Sequence, residues 1–250
     1  MLGYIKNRYL KNDLSFNLKG KDEKIMIIIM LGAQGTGKGT VAGLISKDTG
    51  LVQVSTGDIF RKNVTEQTEL GKKANEYMIT GALVPDEITV PMVANRLEEK
   101  DVENGIILDG FPRTIEQAEK LDELLSKKGK KVDLVINLTT PKEEIIERIL
   151  NRRVCSNQAC KATYNLVLHP TKKEGICDKC GSEVVQREDD KSREAIENRL
   201  SIYDTQTKPL VDYYEKQKVL KTEEVSQKIG RMGEEVAKEV VEMIKGQNND

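Results

Sequence analysis

The sequence predicts an α/β fold in which a parallel sheet is flanked by helices on both faces. Short, continuous apolar runs recur along the chain, as expected for strands that are covered on both sides. Each run is followed by a segment that has helical periodicity or a helix start signal. Strands that alternate with helices in this way favour a parallel sheet over an antiparallel one.

Three apolar runs supply the predicted strands of the core. Residues 25–31 form the longest run, and a glycine-rich turn joins it to a helix that begins near Gly37. Residues 105–109 and 132–138 form the other two. All three are too short to be buried helices, so we interpret them as strands.

Helix start signals follow the second and third runs. Thr114 has Gln117 three residues later, which is the spacing of a capping box. Thr140 is followed by Pro141, which is favoured at a first helical position, and by Glu143, which completes a second capping box. We expect a helix to begin at each threonine.

Two segments interrupt the alternation, and the sequence therefore predicts a core with two insertions. The first insertion is polar and helical, and the second is rich in cysteine and β-forming residues. Residues 1–24 are polar and rich in lysine, which is typical of a flexible tail, although translation from Met26 would explain them equally well. The predicted parts are an extension (1–24), a core (25–54, 85–151 and 190–250), a helical insertion (55–84) and a cysteine-bearing insertion (152–189).

Composition excludes several functional classes. The 40 Lys and Arg residues balance 41 Asp and Glu residues, so the bulk charge of −1 predicts neither a nucleic-acid nor a membrane partner. No apolar run approaches the ~20 residues of a membrane-spanning helix. Aromatic residues make up only 4%, with no Trp, which disfavours a surface for stacking bases. The only histidine, His169, excludes multi-histidine metal sites.

The turn after the first run has the spacing of a phosphate-binding loop. Its sequence is Gly32-Ala-Gln-Gly-Thr-Gly-Lys-Gly-Thr40, which differs from the usual pattern because the hydroxyl residue comes one position late. Glycines allow backbone N–H groups to converge on phosphate oxygens, and Lys38 adds a positive charge. A glycine-rich turn that binds nothing is the alternative, but strand, loop, lysine and helix occur in the required order.

Asp109 ends the second apolar run, at the carboxyl edge where a parallel sheet presents side chains to a ligand. A carboxylate at this position can hold Mg²⁺, through water, beside a bound triphosphate. The alternative is that Asp109 only begins the turn that follows it.

The four cysteines form two pairs with the spacing of a metal site. Cys155 and Cys160 make the first pair, and Cys177 and Cys180 make the second after sixteen residues. Four thiolates so spaced can bind Zn²⁺ tetrahedrally and leave no open position for a substrate, so we predict a structural zinc ion. Two disulfides, or an insertion without metal, are the alternatives. A zinc ribbon in an ATP-driven nucleic-acid-binding protein is the rival functional class.

The phosphate loop, Ser55-Thr-Gly-Asp58 and Asp109-Gly-Phe-Pro-Arg113 occur together in one family. In this combination the chain resembles the adenylate kinases, specifically the long, zinc-bearing bacterial form, from about Lys24 to about Tyr214. The resemblance implies the reaction ATP + AMP ⇌ 2 ADP with Mg²⁺, and a monomeric, cytoplasmic enzyme. It also implies that the helical insertion binds AMP and that the cysteine-bearing insertion is a lid.

The resemblance also implies roles for individual residues. On the ATP side it implies Gly35, Thr36, Gly37, Lys38, Gly39, Thr40, Arg152, Thr163, Tyr164 and, as the adenine contact, Gln227. On the AMP side it implies Thr56, Arg61, Ala82, Leu83, Val84, Gly110, Phe111, Pro112, Arg113, Gln117, Arg187 and Arg199. The catalytic set is Lys38, Asp109, Arg113, Arg148, Arg152, Arg187 and Arg199.

Some of these side chains have an alternative interpretation. Arg148 and Arg152 share one helix face, which is usually solvated, and Glu144 is placed to pair with Arg148. Gln117 can either complete the capping box or contact adenine, but one rotamer cannot do both. The resemblance implies that Arg148 and Arg199 are arginines of the core. It implies that Arg152 and Arg187 move over the phosphates with the lid.

Thr56 and Gln117 favour AMP over UMP or CMP as the acceptor, because UMP and CMP kinases carry other residues there. A GTP-dependent AMP kinase is the nearer alternative. The chain departs from the family pattern at Gln34, where proline is common. It also has four residues between Cys155 and Cys160, where two are usual. One additional residue precedes Arg199, and the segment around Gln227 lacks the family's recognisable adenine-side sequence.

Overall fold

The structure is a computed structural model that describes residues 26–157, 159–160 and 162–247. The predicted N-terminal extension, residues 1–24, lies outside the described residues. Among the described helices, none is both long and apolar enough to cross a membrane.

A five-stranded parallel sheet forms the centre of the molecule, in the order β2-β3-β1-β4-β8. The predicted α/β fold with a parallel sheet is therefore confirmed. The strands are β1 (Met26–Leu31), β2 (Val52–Ser55), β3 (Gly105–Asp109), β4 (Leu134–Thr139) and β8 (Leu220–Glu224). Every crossover between them contains at least one helix.

Nine α-helices surround the sheets in the described part of the chain. They are α1 (Lys38–Thr49), α2 (Thr56–Thr65), α3 (Glu69–Met78), α4 (Asp86–Arg96), α5 (Ile115–Ser126), α6 (Lys142–Leu150), α7 (Arg193–Ile202), α8 (Leu210–Lys216) and α9 (Gly233–Gln247). Short 3₁₀ turns cover Lys100–Val102 and Glu188–Asp190, and a π-helical turn (Tyr203–Thr207) joins α7 to α8.

The two faces of the sheet are buried in separate apolar clusters. One face, with Ile27 and Ile29 of β1, packs against α5 and α8. The other face, with Ile28 and Met30, packs against α1 and α9. All four side chains are at most 2% exposed. Coverage of both faces explains why β1, β3 and β4 are continuous apolar runs.

Both edge strands differ from the prediction, which contained neither β2 nor β8. The sequence of β2 is VQVS and that of β8 is LKTEE, so neither is an apolar run. An edge strand has a neighbour on only one side and tolerates polar side chains, which removes the signal that identified the inner strands.

One predicted helix start is confirmed and the other is wrong. Thr114 caps α5, because its hydroxyl accepts a hydrogen bond from the Gln117 backbone N–H at 3.2 Å. Helix α6 begins at Lys142 and has no side-chain cap. The Thr140 hydroxyl donates instead to the Val225 carbonyl at 2.7 Å, because the chain after β8 passes close to it.

A second, antiparallel sheet lies in the cysteine-bearing insertion and has the order β6-β5-β7. Its strands are β5 (Arg152–Cys155), β6 (Thr163–Asn165) and β7 (Val184–Val185). Val154 of the entering strand pairs with Val185 of the leaving strand. The two ends of this insertion, which we call the lid segment (residues 152–189), are thus hydrogen-bonded to each other.

Candidate functional site

A cavity of about 710 Å³ lies at the carboxyl edge of the central sheet. The glycine-rich loop, the end of β3, helix α2, the loop before α4, the lid segment and α7 all contribute to its walls. Clefts at this edge of a parallel sheet are where α/β proteins bind ligands.

The glycine-rich loop forms the floor of the cavity. Gly37 precedes α1 with φ of 96°, a left-handed conformation that favours glycine. Lys38 folds back over the loop, and its Nζ donates to the carbonyls of Gly32 at 2.7 Å and Ala33 at 2.8 Å. Burial lowers the pKa of Lys38 to about 8. The loop and the N-terminus of α1 therefore present N–H groups and one partly buried ammonium group to the cavity.

Asp109 lies opposite this ammonium group at the end of β3. Its carboxylate accepts no hydrogen bond from the described residues, and its Oδ2 is 3.5 Å from where a Cβ on Gly39 would lie. Burial raises the pKa of Asp109, although the charge of Lys38 opposes the increase. A partly buried carboxylate without a hydrogen-bond donor, beside a phosphate loop, has the hard oxygen ligands that Mg²⁺ prefers.

The turn after β3 forms the side wall. The Gly110 carbonyl accepts hydrogen bonds at 2.9 Å from both the Thr56 hydroxyl and Arg113 Nε. Because Nε is used, the terminal nitrogens of Arg113 remain available to a ligand. Burial lowers the pKa of Arg113, and the charge of Asp109 opposes that effect.

The Gln117 side chain does not complete the capping box at Thr114, because it bonds the residue before the cap. Its Oε1 accepts from the Arg113 backbone N–H at 2.8 Å, and its Nε2 donates to Asp86 at 2.7 Å. These bonds leave one N–H and one oxygen lone pair of the amide free. Although the residue is only 2% exposed, it still lines the cavity.

Three arginines around the mouth of the cavity have acidic partners. Arg61 pairs with Asp58, three residues earlier on α2. Arg152 forms two bonds of 2.7 Å with Asp190. Arg199 contacts Asp189 at 2.8 Å and Asp190 at 3.3 Å. Burial would lower the pKa of Arg152, but the hydrogen bonds and charge of Asp190 raise it above the usual value.

Arg187 differs from these three. Its guanidinium forms no hydrogen bond or ion pair with the described residues, although it lines the same cavity. Burial, together with the charges of Arg61 and Arg152, lowers the pKa of Arg187 to about 9. An anion in the cavity would supply the negative charge that this guanidinium lacks.

Arg148 has the partner that the alternative interpretation predicts. Its Nη2 contacts the Glu144 carboxylate at 3.2 Å and also donates to the Val225 carbonyl at 3.3 Å. Glu144 in turn accepts from the Ser226 hydroxyl at 2.7 Å and the Gln227 backbone N–H at 3.1 Å. Arg148 nevertheless lines the cavity, so it links α6 to the chain after β8 at the cavity wall.

Most of the predicted nucleotide-binding residues line this one cavity, and three do not. Thr36 and Phe111 are buried at 1% and 0% exposure, and the Thr36 hydroxyl donates to Ala33. Gln227 does not line the cavity, and its backbone N–H donates to the Glu144 carboxylate. Met232, Gly233 and Glu234 line that end of the cavity instead.

The prediction did not include several other residues that line or shape the cavity. Asp189 and Asp190 hold two of the arginines, and the sequence gives no signal that distinguishes them from other acidic residues. Asn157, Leu168 and His169 face the cavity from the lid segment. For these three lid residues, the only signal in the sequence was their position close to the cysteines along the chain.

The four cysteines form one cluster of free thiols, as their spacing predicts. All four Sγ atoms lie within 4.8 Å of one another. Cys155 and Cys180 are 3.4 Å apart, and Cys160 and Cys177 are 3.6 Å apart. A tetrahedral site with Zn–S bonds of about 2.3 Å has sulfur atoms about 3.8 Å apart, so the four residues fit a zinc ion.

Tyr164 connects this cluster to the cavity. It lines the cavity, and its hydroxyl lies 3.2 Å from Cys177 Sγ and accepts from the Asp178 backbone N–H at 2.8 Å. The hydrogen bond from Tyr164 is the main cause that lowers the pKa of Cys177, to about 6.

Comparison with known proteins gives a consistent result. The family model described as adenylate kinase matches residues 30–219. An adenylate kinase from Caldicellulosiruptor saccharolyticus is 50% identical over 213 residues, which are 85% of this chain and 98% of the relative. The adenylate kinase of Clostridium acetobutylicum is 49% identical over 84% of this chain and 97% of the relative. The adenylate kinase of Archaeoglobus fulgidus is 51% identical over 78% of this chain and 88% of the relative.

Proposed function

The chain belongs to the adenylate kinase family and transfers the terminal phosphoryl group of ATP to AMP, giving two ADP, and we propose that the arginine-lined cavity performs this transfer. One observation carries the proposal: the phosphate loop and the residues expected to bind AMP line the same cavity. Two nucleotides can then meet with their phosphates between Lys38 and Arg113.

On the donor side, the backbone of residues 35–40 and Lys38 bind the ATP phosphates. Support comes from the loop's geometry and from the partly buried ammonium group of Lys38. Arg152, Thr163 and Tyr164 close over ATP from the lid segment. Gln227 contacts the adenine in this proposal, and Met232 and Gly233 are further candidates because they line the cavity.

On the acceptor side, Arg61 and Arg113 bind the AMP phosphate, with Arg187 and Arg199 completing the positive surface. Thr56, Gln117 and the backbone of residues 82–84 and 110–112 surround the nucleoside. Support comes from the free terminal nitrogens of Arg113 and from the unused N–H and lone pair of Gln117. One donor and one acceptor on the same amide suit an adenine edge.

Positioning and charge stabilisation account for catalysis in this proposal. The transferred phosphoryl group carries negative charge on three equatorial oxygens, and Lys38, Arg113, Arg148, Arg152, Arg187 and Arg199 surround it. The carboxylates of Asp189 and Asp190 hold two of these arginines in place before the phosphates arrive. No side chain has to act as a covalent nucleophile.

Adenylate kinases use Mg²⁺ with ATP, and we propose that Asp109 holds this ion, with Thr40 lining the same cavity from the first turn of α1. Support comes from the partly buried carboxylate of Asp109, which lacks a hydrogen-bond donor among the described residues. When bound, Mg²⁺ neutralises charge on the phosphate oxygens.

We propose that Zn²⁺ occupies the cysteine cluster and has a structural role. Support comes from the Sγ separations and from the four protein ligands, which leave no position for a substrate. The apolar cluster of the lid is small, so a metal ion is needed to hold it together.

Residues 152–189 and 55–84 act as two mobile parts that close over the nucleotides, in this proposal, and exclude water. Phosphate then passes to AMP instead of being hydrolysed. The enzyme works as a cytoplasmic monomer, because one chain supplies every wall of the cavity and a thiolate metal site suits a reducing compartment. Gel filtration tests the oligomeric state.

A coupled assay of ADP formation tests the proposed function. ATP or GTP is combined with AMP, UMP or CMP, and Mg²⁺ is varied. We expect turnover with ATP and AMP and a large loss with UMP or CMP. A preference for GTP as the donor would contradict the donor assignment. ATP hydrolysis that depends on DNA or RNA, without transfer to a monophosphate, would favour a nucleic-acid-binding ATPase.

A further inference from the structure

Helix α7 lies between the two halves of the cavity and contacts both. On the acceptor side, Asn198 Nδ2 donates to the Thr80 carbonyl at 2.7 Å. A Cβ on Gly81 would overlap the Ala195 carbonyl, so the two backbones are in close contact. On the donor side, Gln34 Nε2 donates to the next carbonyl, that of Ile196, at 3.0 Å.

Gln34 lies in the phosphate loop, but its side chain reaches α7 and not the loop's own backbone. Because a carbonyl can only accept, Nε2 must face Ile196 and Oε1 must point away. Oε1 is buried and has no hydrogen-bond partner among the described residues. An unpaired buried oxygen destabilises the protein, so its presence calls for an explanation.

Apolar packing around this bond fixes the lateral position of α7 against the loop and α6. Ala33 of the loop, Ile149 of α6 and Ile196 and Leu200 of α7 belong to one buried cluster. Packing of this kind tolerates sliding along the helix axis, whereas a hydrogen bond to one carbonyl sets the axial position. Arg199 is three residues beyond Ile196 and lines the cavity, so its position depends on that setting.

We propose that Gln34 is a positioning residue that holds helix α7, and with it Arg199, at a fixed distance from the phosphate loop. This inference rests on the proposed role of Arg199 in phosphate transfer. Direct contact between Gln34 and ATP is disfavoured, because Nε2 already donates to Ile196 and Oε1 is a buried acceptor, which phosphate oxygens would repel. Gln34 therefore acts on the transfer step and not on ATP affinity.

A double-mutant cycle between Gln34 and Arg199 tests the inference. Gln34→Met keeps the volume but removes the bond, and we expect it to lower kcat about fivefold, the loss of one ordinary hydrogen bond. The KM for ATP should stay within about twofold. In an Arg199→Ala background, Gln34→Met should change kcat less than about twofold, because the positioned group is gone.

Two controls accompany the cycle. Glu197→Gln removes a surface ion pair of α7 with Arg193 and should change neither constant. Gln34→Asn, whose amide is one methylene shorter, should repeat the effect of Gln34→Met. Thermal melting of each variant confirms that it is folded at the assay temperature.

Each other result has a definite meaning. An increase in the KM for ATP that matches the decrease in kcat/KM would assign Gln34 to ATP binding and overturn the inference. Fully additive effects of Gln34→Met and Arg199→Ala would also overturn it, while leaving the role of Arg199 intact. Unchanged turnover in Arg199→Ala alone would overturn that role and the inference with it.

Discussion

Arg152 and Asp190 form an ion pair with two hydrogen bonds of 2.7 Å each, and the carboxylate is fully buried. Arg152 is the first residue of the lid segment, and Asp190 follows its last residue. The pair therefore joins the entry and the exit of the lid at the cavity wall, directly beside Arg199.

Replacing Asp190 with asparagine should destabilise the protein. Removing one partner of a buried pair leaves an uncompensated charge, which costs about 3–5 kcal/mol, and asparagine still accepts one bond, so we expect a loss of about 3 kcal/mol. Urea denaturation measures the free energy of unfolding. As a control, Glu197→Gln breaks an exposed pair and should cost under about 1 kcal/mol. A loss for Asp190→Asn as small as this control would contradict the prediction.

Activity should decrease as pH rises through the pKa of Lys38. Burial lowers this pKa to about 8, so the ammonium group that attracts phosphate is present below pH 8 and is lost above it. We expect kcat/KM for ATP to fall above about pH 8. Bound phosphate favours the charged form, so the decrease in kcat should come at higher pH.

Lys38→Arg is the control for this profile, because its guanidinium remains charged throughout. Its lower activity should not decrease near pH 8, although Arg187, whose pKa is about 9, can still contribute at higher pH. An unchanged profile in the variant would assign the titration to another group.

Replacing Cys177 with serine should affect stability more than catalysis. The change removes one of the four thiols that we propose as zinc ligands, and structural zinc binding is worth about 10–16 kcal/mol in small domains. We expect less bound zinc by elemental analysis, a lower melting temperature, and activity that is largely kept in the cold. Ser156→Ala, which changes an exposed side chain of the same segment and leaves all four thiols, is the control. Lost activity with an unchanged melting temperature would indicate a catalytic metal.

Replacing Arg113 with lysine should impair AMP use despite the conserved charge. Lysine cannot donate to the Gly110 carbonyl and to a phosphate in the same forked geometry. A lost charged hydrogen bond is worth about 1.5–3 kcal/mol, which lowers kcat/KM for AMP about 10- to 150-fold. Steady-state kinetics measure the ratio, and Arg96→Lys, in a surface pair with Asp101, is the control. A decrease below threefold would refute the forked contact.

Replacing Gly71 with alanine should perturb the packing of α2 on α3. A Cβ at Gly71 would overlap the Asn63 carbonyl, so the backbone must move, at a cost of about 1–3 kcal/mol. We expect a lower melting temperature and a higher KM for AMP, with little change in the KM for ATP.

Gly43→Ala is the matched control, since its Cβ would lie 3.4 Å from the nearest atom, Gln53 Oε1. Alanine favours helix over glycine by up to about 1 kcal/mol, so this variant should be at least as stable as the original chain. Equal effects of the two substitutions would rule out the close helix contact.

The sequence was sufficient to predict the inner strands, the phosphate loop and the cysteine cluster, because each depends on local spacing. The edge strand β8 was missed because LKTEE pairs on one side only and carries no apolar run. The pairing of Arg152 with Asp190 spans 38 residues, and no local pattern distinguishes Asp190 from its acidic neighbours. Thr140 was misassigned because a distant segment, at Val225, competes for its hydroxyl.

The pairing of Val154 with Val185 has a consequence for how such chains can diverge. An insertion whose first and last strands bond to each other closes on itself, so its interior can lengthen or shorten without moving the core, at little entropic cost. Insertions and deletions during evolution should therefore accumulate inside the lid and leave its two ends unchanged. Grafting a lid of another length between residues 154 and 185 should give a folded enzyme.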